Sequence, residues 1–518
     1  MHNRSQFTCR IIIGFCAFLL TVICCSTALG ATIRVPADSP TIHGAIAIAT
    51  DGDTILVAPG TYRETINYQG KAITIVSEAG PPTTIIDGNQ DGPVVTFNAS
   101  EGRGSVLDGF TIQNGKSLNG GGLYIRFSSP TIRRNIITNN FGLEGGGGIM
   151  MIANASPLIE SNTIARNQGS CCGPEGGGGI DIEGGGDSAQ ILNNVITENT
   201  TRAGNGGGIS INGCGTTTIR GNIITNNVGF SVGGGIAMIN TCYAIIVDNV
   251  IAGNVASTSV GGYGNGGGIY ATPPNDFSGP RIYNNTIVNN DGVQSSGVYL
   301  DGFKTKTEII NNIIVAKTGQ FAVVMDNTYT PSPPVFRFND VFSRKGPAYH
   351  GDVPDQTGMN GNSSTDPLFV NELAGDFHLE PGTPCLDSGQ NGLAAITDTD
   401  LDGNPRVVDG KGNGNAVVDI GAYEKQNPRI VNVSIDGKNI VLLGDHFDAG
   451  SVILVNGAAE RTLHDATSPA TVLIGKKLRK QFSPGQNVEL KVRDSDGGLS
   501  PGFPYAFPLI GTLGFLAR

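Results

Sequence analysis

Histidine is scarce in this chain. Only six occur in 518 residues, and none falls between residues 44 and 349. That stretch has no imidazole for base catalysis or for a metal such as copper. Basic charge is also short: 33 Lys and Arg stand against 44 Asp and Glu, a net charge of -11. An excess of this sign gives no footprint for nucleic acid or anionic lipid, and it weighs against a polyanionic substrate. Proline is limited to 27 residues and no G-x-y period accompanies the 77 glycines, which excludes collagen and a disordered Pro/Gly polymer. No apolar run is long enough to cross a bilayer. The longest, Ile11 to Cys25, follows Arg4 and Arg10 and precedes Ala28-Leu29-Gly30, so residues 1–30 read as a cleaved signal peptide. The expected location is therefore secreted or cell-surface. No transmembrane anchor is expected in the mature chain, since the closing run PLIGTLGFLAR is too short to span.

Five cysteines lie beyond the leader: Cys171, Cys172, Cys214, Cys242 and Cys385. Cys214 and Cys242 are separated by nearly one period of the repeat described next, which makes them a candidate disulfide in an oxidising compartment.

Against these shortages stands a strong internal repeat. Asn135, Asn162, Asn194, Asn222, Asn249, Asn285, Asn312 and Asn339 recur at a period near 27. Three residues before each lies Ile132, Ile159, Ile191, Ile219, Ile246, Ile282, Ile309 or Phe336. Two residues after lies Ile137, Ile164, Ile196, Ile224, Ile251, Ile287, Ile314 or Val341. A second signal is a glycine run followed by an alternating strand opening on Leu123, Ile149, Ile180, Ile209, Ile236, Ile269 and Val298. Short strands at this period predict coils stacked in register, with aliphatic ladders inside and asparagine amides pairing along the axis. The fold class is all-β: a right-handed parallel β-helix of about ten coils. Ser39 as N-cap and Pro40 as first residue predict a capping helix over the open end, with Ile42, Ala45, Ile46 and Ala49 on one face.

Residues 32 to about 345 resemble bacterial β-helix proteins of the pectin-lyase-like superfamily, through PTIHGAIAIATDGDTILVAPGTYRETI and the coils after it. Residues 366–427 hold DPLFVNELAGDFHLEPGTPCLDSG and DLDGNPRVVDGKGNGNAVVDIGAYE, which resemble a choice-of-anchor closing segment. Residues 428–508 resemble a TIG/IPT immunoglobulin-like β-sandwich through GDHF, VNG and DGGLS, and 509–518 form a tail. The β-helix with its cap thus spans 31–365. The resemblance implies a secreted or surface setting and the architecture, but activity varies widely on this fold. The motifs of galacturonan hydrolases and alginate epimerases are absent, as is the tryptophan many pectate lyases carry. PGTYRE (Pro59 to Glu64) is similar to a pectin-esterase element without the esterase's catalytic motifs.

Alternation after the glycine run directs a stripe of residues outward. Tyr124, Arg126, Asn212, Tyr270, Tyr299 and Asp301 are the candidate ligand-binding set, suited to stacking on sugar rings and bonding hydroxyls. Asp181 and Glu183 share one strand face about 7 Å apart, at about 3.4 Å per residue, and are the candidate acid and base. Asp398, Asp400, Asp402 and Asp409 reproduce the 1, 3, 5, 12 ligand spacing of a calcium loop, with Gly403 at position 6. Such an ion would be structural, and no other cofactor is expected. The leading expectation is a protein that binds extracellular polysaccharide or a cell-surface glycan. An atypical polysaccharide lyase or glycoside hydrolase, and a structural adhesin or spacer, are the alternatives.

Overall fold

A computed structural model describes residues 30–169, 176–184, 188–213, 215–240, 243–257, 264–272, 279–302, 307–326, 334–393 and 398–508. Each coil of the N-terminal body carries short strands at its sides. Sheet A holds strands such as Thr131–Arg133, sheet B strands such as Ile136–Thr138, and sheet C strands such as Ile149–Ile152. Between B and C runs a narrow ribbon of two-residue strands such as Phe141–Gly142. Among the described residues, sheet A stacks 12 strands, sheets B and C 11 each, and the ribbon six. The chain is a parallel β-solenoid of about ten turns.

The aliphatic periodicity becomes three internal ladders. In sheet A, Ile132 lies on Ile159, Ile159 on Ile191 and Ile191 on Ile219. In sheet B, Ile137 lies on Ile164 and Ile164 on Ile196. In sheet C, Leu123 lies on Ile149, Ile149 on Ile180 and Ile180 on Ile209. These side chains are fully buried in one continuous core cluster. Burying each one contributes about 1.5–3 kcal/mol, so the tube is held by many equal small terms rather than by one dense centre.

Corners are fixed by asparagine. Asn135 donates its Nδ2 to Asn162 Oδ1 at 3.1 Å, and the pattern repeats coil by coil to Asn339, which reaches Asn362. A second ladder, five residues further along each coil, runs Asn140, Asn167, Asn199, Asn227, Asn254 and Asn290 at the corner between sheet B and the ribbon. The residue before each first-ladder asparagine is left-handed even where it is not glycine: Arg134, Ser161, Asn193, Asp248, Asn284, Asn311 and Phe338 all have positive φ. That conformation costs about 1–3 kcal/mol in a non-glycine residue. The amide ladder offsets it by satisfying backbone N–H groups that the turn takes out of the sheets.

The helix α1 spans Ile42–Ile48, shorter and later than expected. Its N-cap is Thr41 rather than Ser39, with Thr41 Oγ1 accepting from Gly44 N at 3.0 Å. Ser39 instead donates to the Thr41 carbonyl. Glu64 completes this end: its carboxylate accepts from the amides of Ile42 and His43 at 3.0 and 2.8 Å. The last residue of PGTYRE thus holds two first-turn amides, which have no partner inside a helix. Ile42, Ala45 and Ile46 join the core of the solenoid.

The chain after the coils folds back along the outside of sheet B. Phe377, Leu379, Cys385, Ile420 and Ala422 form one cluster with Val250, Ala252, Val288, Ile313 and Val315, outward residues of three adjacent strands. Residues 429–506 form a small antiparallel β domain of two four-stranded sheets around their own core.

Candidate functional site

The outward stripe of sheet C is on the face that alternation assigns it, but much of it is not open to solvent. Asp181 is 0% exposed, Tyr270 8% and Tyr299 4%. The cause is the glycine run. A Cβ on Gly146 would lie 3.0 Å from Asp181 Cβ, and one on Gly233 2.7 Å from Ala237 Cβ. The run presses against the outer side of its own strand, as at Gly233, or of the strand one coil on, as at Gly146, and a side chain there would be expelled. The stripe expected to be solvated is therefore, in its middle and later coils, a packed outer layer. Val232, Ala237, Tyr270, Tyr299 and Val324 form a hydrophobic cluster of their own.

Tyr270 and Tyr299 stack on adjacent coils with ring centroids 5.5 Å apart. Tyr270 donates to Asp301 at 2.9 Å and Tyr299 to Asp326 at 2.7 Å. Burial, with the bond to Asp326 adding to it, raises the Tyr299 phenol well above its ordinary pKa. The two tyrosines and Asp301 lie together, and their polar ends bond within the protein. Tyr124 is half-buried and Arg126 exposed, its guanidinium over Phe127 at 4.4 Å. Asn212 and Glu183 are half-buried on adjacent strands, in register with each other.

The acidic turn is likewise tied to its surroundings. Asp400 Oδ1 accepts from the amides of Asp402 and Asn404, and Oδ2 from that of Glu424 at 3.0 Å. Asp409 holds a different turn, accepting from Asn413 and Gly414 at 3.0 and 2.7 Å. Asp398 is exposed and bonds Arg406 N through its carbonyl. Asp402 pairs with His378 Nε2 at 2.7 Å, while His378 Nδ1 meets Asp376 at 2.6 Å. Among the described residues, no group of three or more His, Cys, Asp or Glu is arranged to hold a metal. Cys214, Cys242, Cys171 and Cys172 lie outside the described residues. Cys385 is buried and free.

Beside this turn a buried ion pair joins the closing segment to the solenoid. Arg406 is 1% exposed and bonds Asp248 Oδ1 at 2.5 Å and Gly421 O at 2.8 Å. Burial pushes the Asp248 carboxyl up to about 6 although Arg406 pulls it down.

A different part of the surface has the makings of a binding site. At the corner between sheet B and the ribbon, a cleft of about 380 Å³ is lined by Gln90, Asn114, Lys116, Asn139, Phe141, Gln168 and Arg202. Parallel pairing puts Lys116, Phe141 and Gln168 on three successive coils. Lys116 Nζ lies 6.0 Å and Arg202 Cζ 5.4 Å from the Phe141 ring centre. Neither cation forms an ion pair among the described residues, although the chain as a whole is acidic. Asn114 and Asn139 have positive φ. Sequence reading missed this cleft because its members come from five coils and share no motif. The available signal was the occurrence of Lys116, Phe141, Gln168 and Arg202 at equivalent or neighbouring places in successive repeats.

Residues 83–251 match the family model for the right handed beta helix region. The chain is a parallel β-helix repeat protein, and the β-helix continues in the same register past Ile251 to the strand Tyr349–Gly351. No curated protein matches the chain. The corner cleft lies within the matched part of the β-helix, whereas the acidic turn and the ion-pair partner Arg406 lie after it.

Proposed function

We propose that this protein is an exported β-helix that binds extracellular polysaccharide, and that the corner cleft is where it does so. The observation that carries the reading is the set of four amide side chains, two cations without ion-pair partners among the described residues and one aromatic ring around a single groove. Amides both donate and accept, as sugar hydroxyls require. Lys116 and Arg202 favour a saccharide that bears carboxylate, a local preference opposite in sign to the net charge. The β-helix fold is compatible with the pectin-lyase-like superfamily.

On the same reading, residues 1–30 are the export signal, α1 closes the first coil, and residues 428–508 are an immunoglobulin-like module that serves as an appendage. The acidic turn is read as a structural turn, since Asp400 and Asp409 already accept backbone amides. The test is calorimetric titration with neutral and uronate-bearing oligosaccharides. Arg202→Ala and Phe141→Ala should each weaken binding of the uronate series roughly tenfold, the size of one lost charge-assisted contact. Tyr270→Phe, buried elsewhere, should leave it unchanged. Equal affinity in all three variants, or no saccharide bound by the parent, refutes the assignment.

A further inference from the structure

The small C-terminal domain has one sheet face that nothing described covers. In the sheet of strands Arg429–Asp436, Asn439–Asp445, Val472–Gly475 and Thr462–His464, alternation sends Ile440, Leu442 and Leu473 into the core. The opposite face then carries Val441, Leu443, Leu463, Val472 and Ile474. Register makes these a single patch: Val441 lies beside Ile474 and Ile474 beside Leu463, while Leu443 lies beside Val472. Leu443 is 41% and Leu463 36% exposed. Contiguous apolar surface of this kind marks a place where something docks.

We propose that the occupant is the chain's own segment 509–518, LIGTLGFLAR. It contains Leu509, Ile510, Leu513, Phe515 and Leu516 and no acid. The path is short. Phe507 is 1% exposed, stacks on Phe482 at 4.8 Å and lies under the Arg479 guanidinium. Arg479 N in turn donates to Lys438 O at 3.1 Å, at the turn that opens the strand of Val441 and Leu443. The 3₁₀ turn Leu478–Lys480 that holds Phe507 begins just after Gly475, which ends the strand of Val472 and Ile474. The chain therefore leaves Pro508 at the corner of the apolar sheet. Ten residues reach at most about 33 Å, and four strands are only about 15 Å wide. Tethering at this distance gives the segment a local concentration in the millimolar range, which a second copy does not match in dilute solution.

The chain's lack of tryptophan makes the test direct. In the full chain carrying Phe515→Trp, the sole indole should emit as a buried one, at any protein concentration and without lipid. Leu443→Lys with Ile474→Lys, both on the outward face, should shift it to the emission of solvent-exposed indole. Deleting 509–518 from the parent, which leaves the domain's core intact, should raise binding of anilinonaphthalene sulfonate several-fold. Solvent-exposed emission in the parent, or buried emission that survives the two lysines, overturns the proposal. So does buried emission that appears only as the protein dimerises or only with phosphatidylcholine vesicles, and so does unchanged dye binding after the deletion.

Discussion

Replacing Asn222 tests whether the amide ladder holds the corners. Its side chain is 0% exposed and donates to Ile191 O, Arg220 O and Asn249 Oδ1 at 2.9, 3.1 and 3.0 Å. Its own Oδ1 accepts from both the backbone N and the Nδ2 of Asn194. Asn222→Ala removes the acceptor for two buried donors. Each buried group left without a partner costs about 1–3 kcal/mol, and a small void adds to it, so the loss should be roughly 3–5 kcal/mol. Asn222→Asp should be worse, since it keeps the shape but turns a carboxylate oxygen toward three acceptors. Ile224→Val, one ladder away, is the control at about 0.5–1.5 kcal/mol. Because a solenoid contacts only its neighbours, the loss should be local. Hydrogen exchange should accelerate in the coils around Ile191, Ile219 and Ile246, and much less around Ile132 or Ile309. An Asn222→Ala variant no weaker than Ile224→Val, or an Asp variant milder than Ala, would refute the reasoning.

His378 should make the closing segment sensitive to pH. Burial lowers the imidazole's pKa, but bonds to Asp402 and Asp376 on its two nitrogens outweigh burial and hold it above the ordinary value. Both ring nitrogens meet carboxylates only if both carry protons, so the contribution is full below the ordinary histidine pKa near 6.5 and is lost as pH rises through the raised one. The gap in unfolding midpoint between the parent and His378→Gln should therefore shrink as pH rises above about 6.5, and a gap that widens would contradict this. Arg406→Leu should free the closing segment from sheet B by leaving Asp248 buried and unpaired, at about 3–5 kcal/mol. Adding Asp248→Asn should recover part of that loss, as read by hydrogen exchange over 398–424, and no recovery would count against the ion pair as the attachment.

The coils were legible because one period served every ladder at once: Ile132, Asn135 and Ile137 repeat together, and each has one environment in every turn. The tyrosine stripe was legible in direction but not in exposure. Alternation states that Tyr270 opposes the core, yet it cannot tell that a glycine run lies against that side, because a covering segment contributes no side chain to read. The helix cap slipped from Ser39 to Thr41 because the carboxylate that completes it, Glu64, comes from the connection after another strand. The partners of the calcium candidates were hidden for a similar reason. Asp398, Asp400, Asp402 and Asp409 keep the spacing of a loop, but His378 and Glu424, distant in sequence, engage two of them.

The same geometry explains why the proposed binding surface is found at a corner. A parallel coil has outward faces on all its sheets, and this chain covers two of them with itself. Closing-segment residues Phe377 and Ile420 lie on sheet B, which is why Val250, Val288 and Ile313 are apolar although they point away from the core. Glycine runs lie against sheet C, which is why Met150 and Ala237 are tolerated there. Among the described residues, the corner between sheet B and the ribbon has no such cover around the cleft, whereas closing-segment residues do reach the corner between sheets A and B, at Asp248, Asn284 and Asn311. Side chains such as Lys116, Phe141 and Arg202 are then free to vary without disturbing the ladders. Variation that costs the fold little is the condition under which a repeat protein can acquire a ligand on one part of its length and not on the rest.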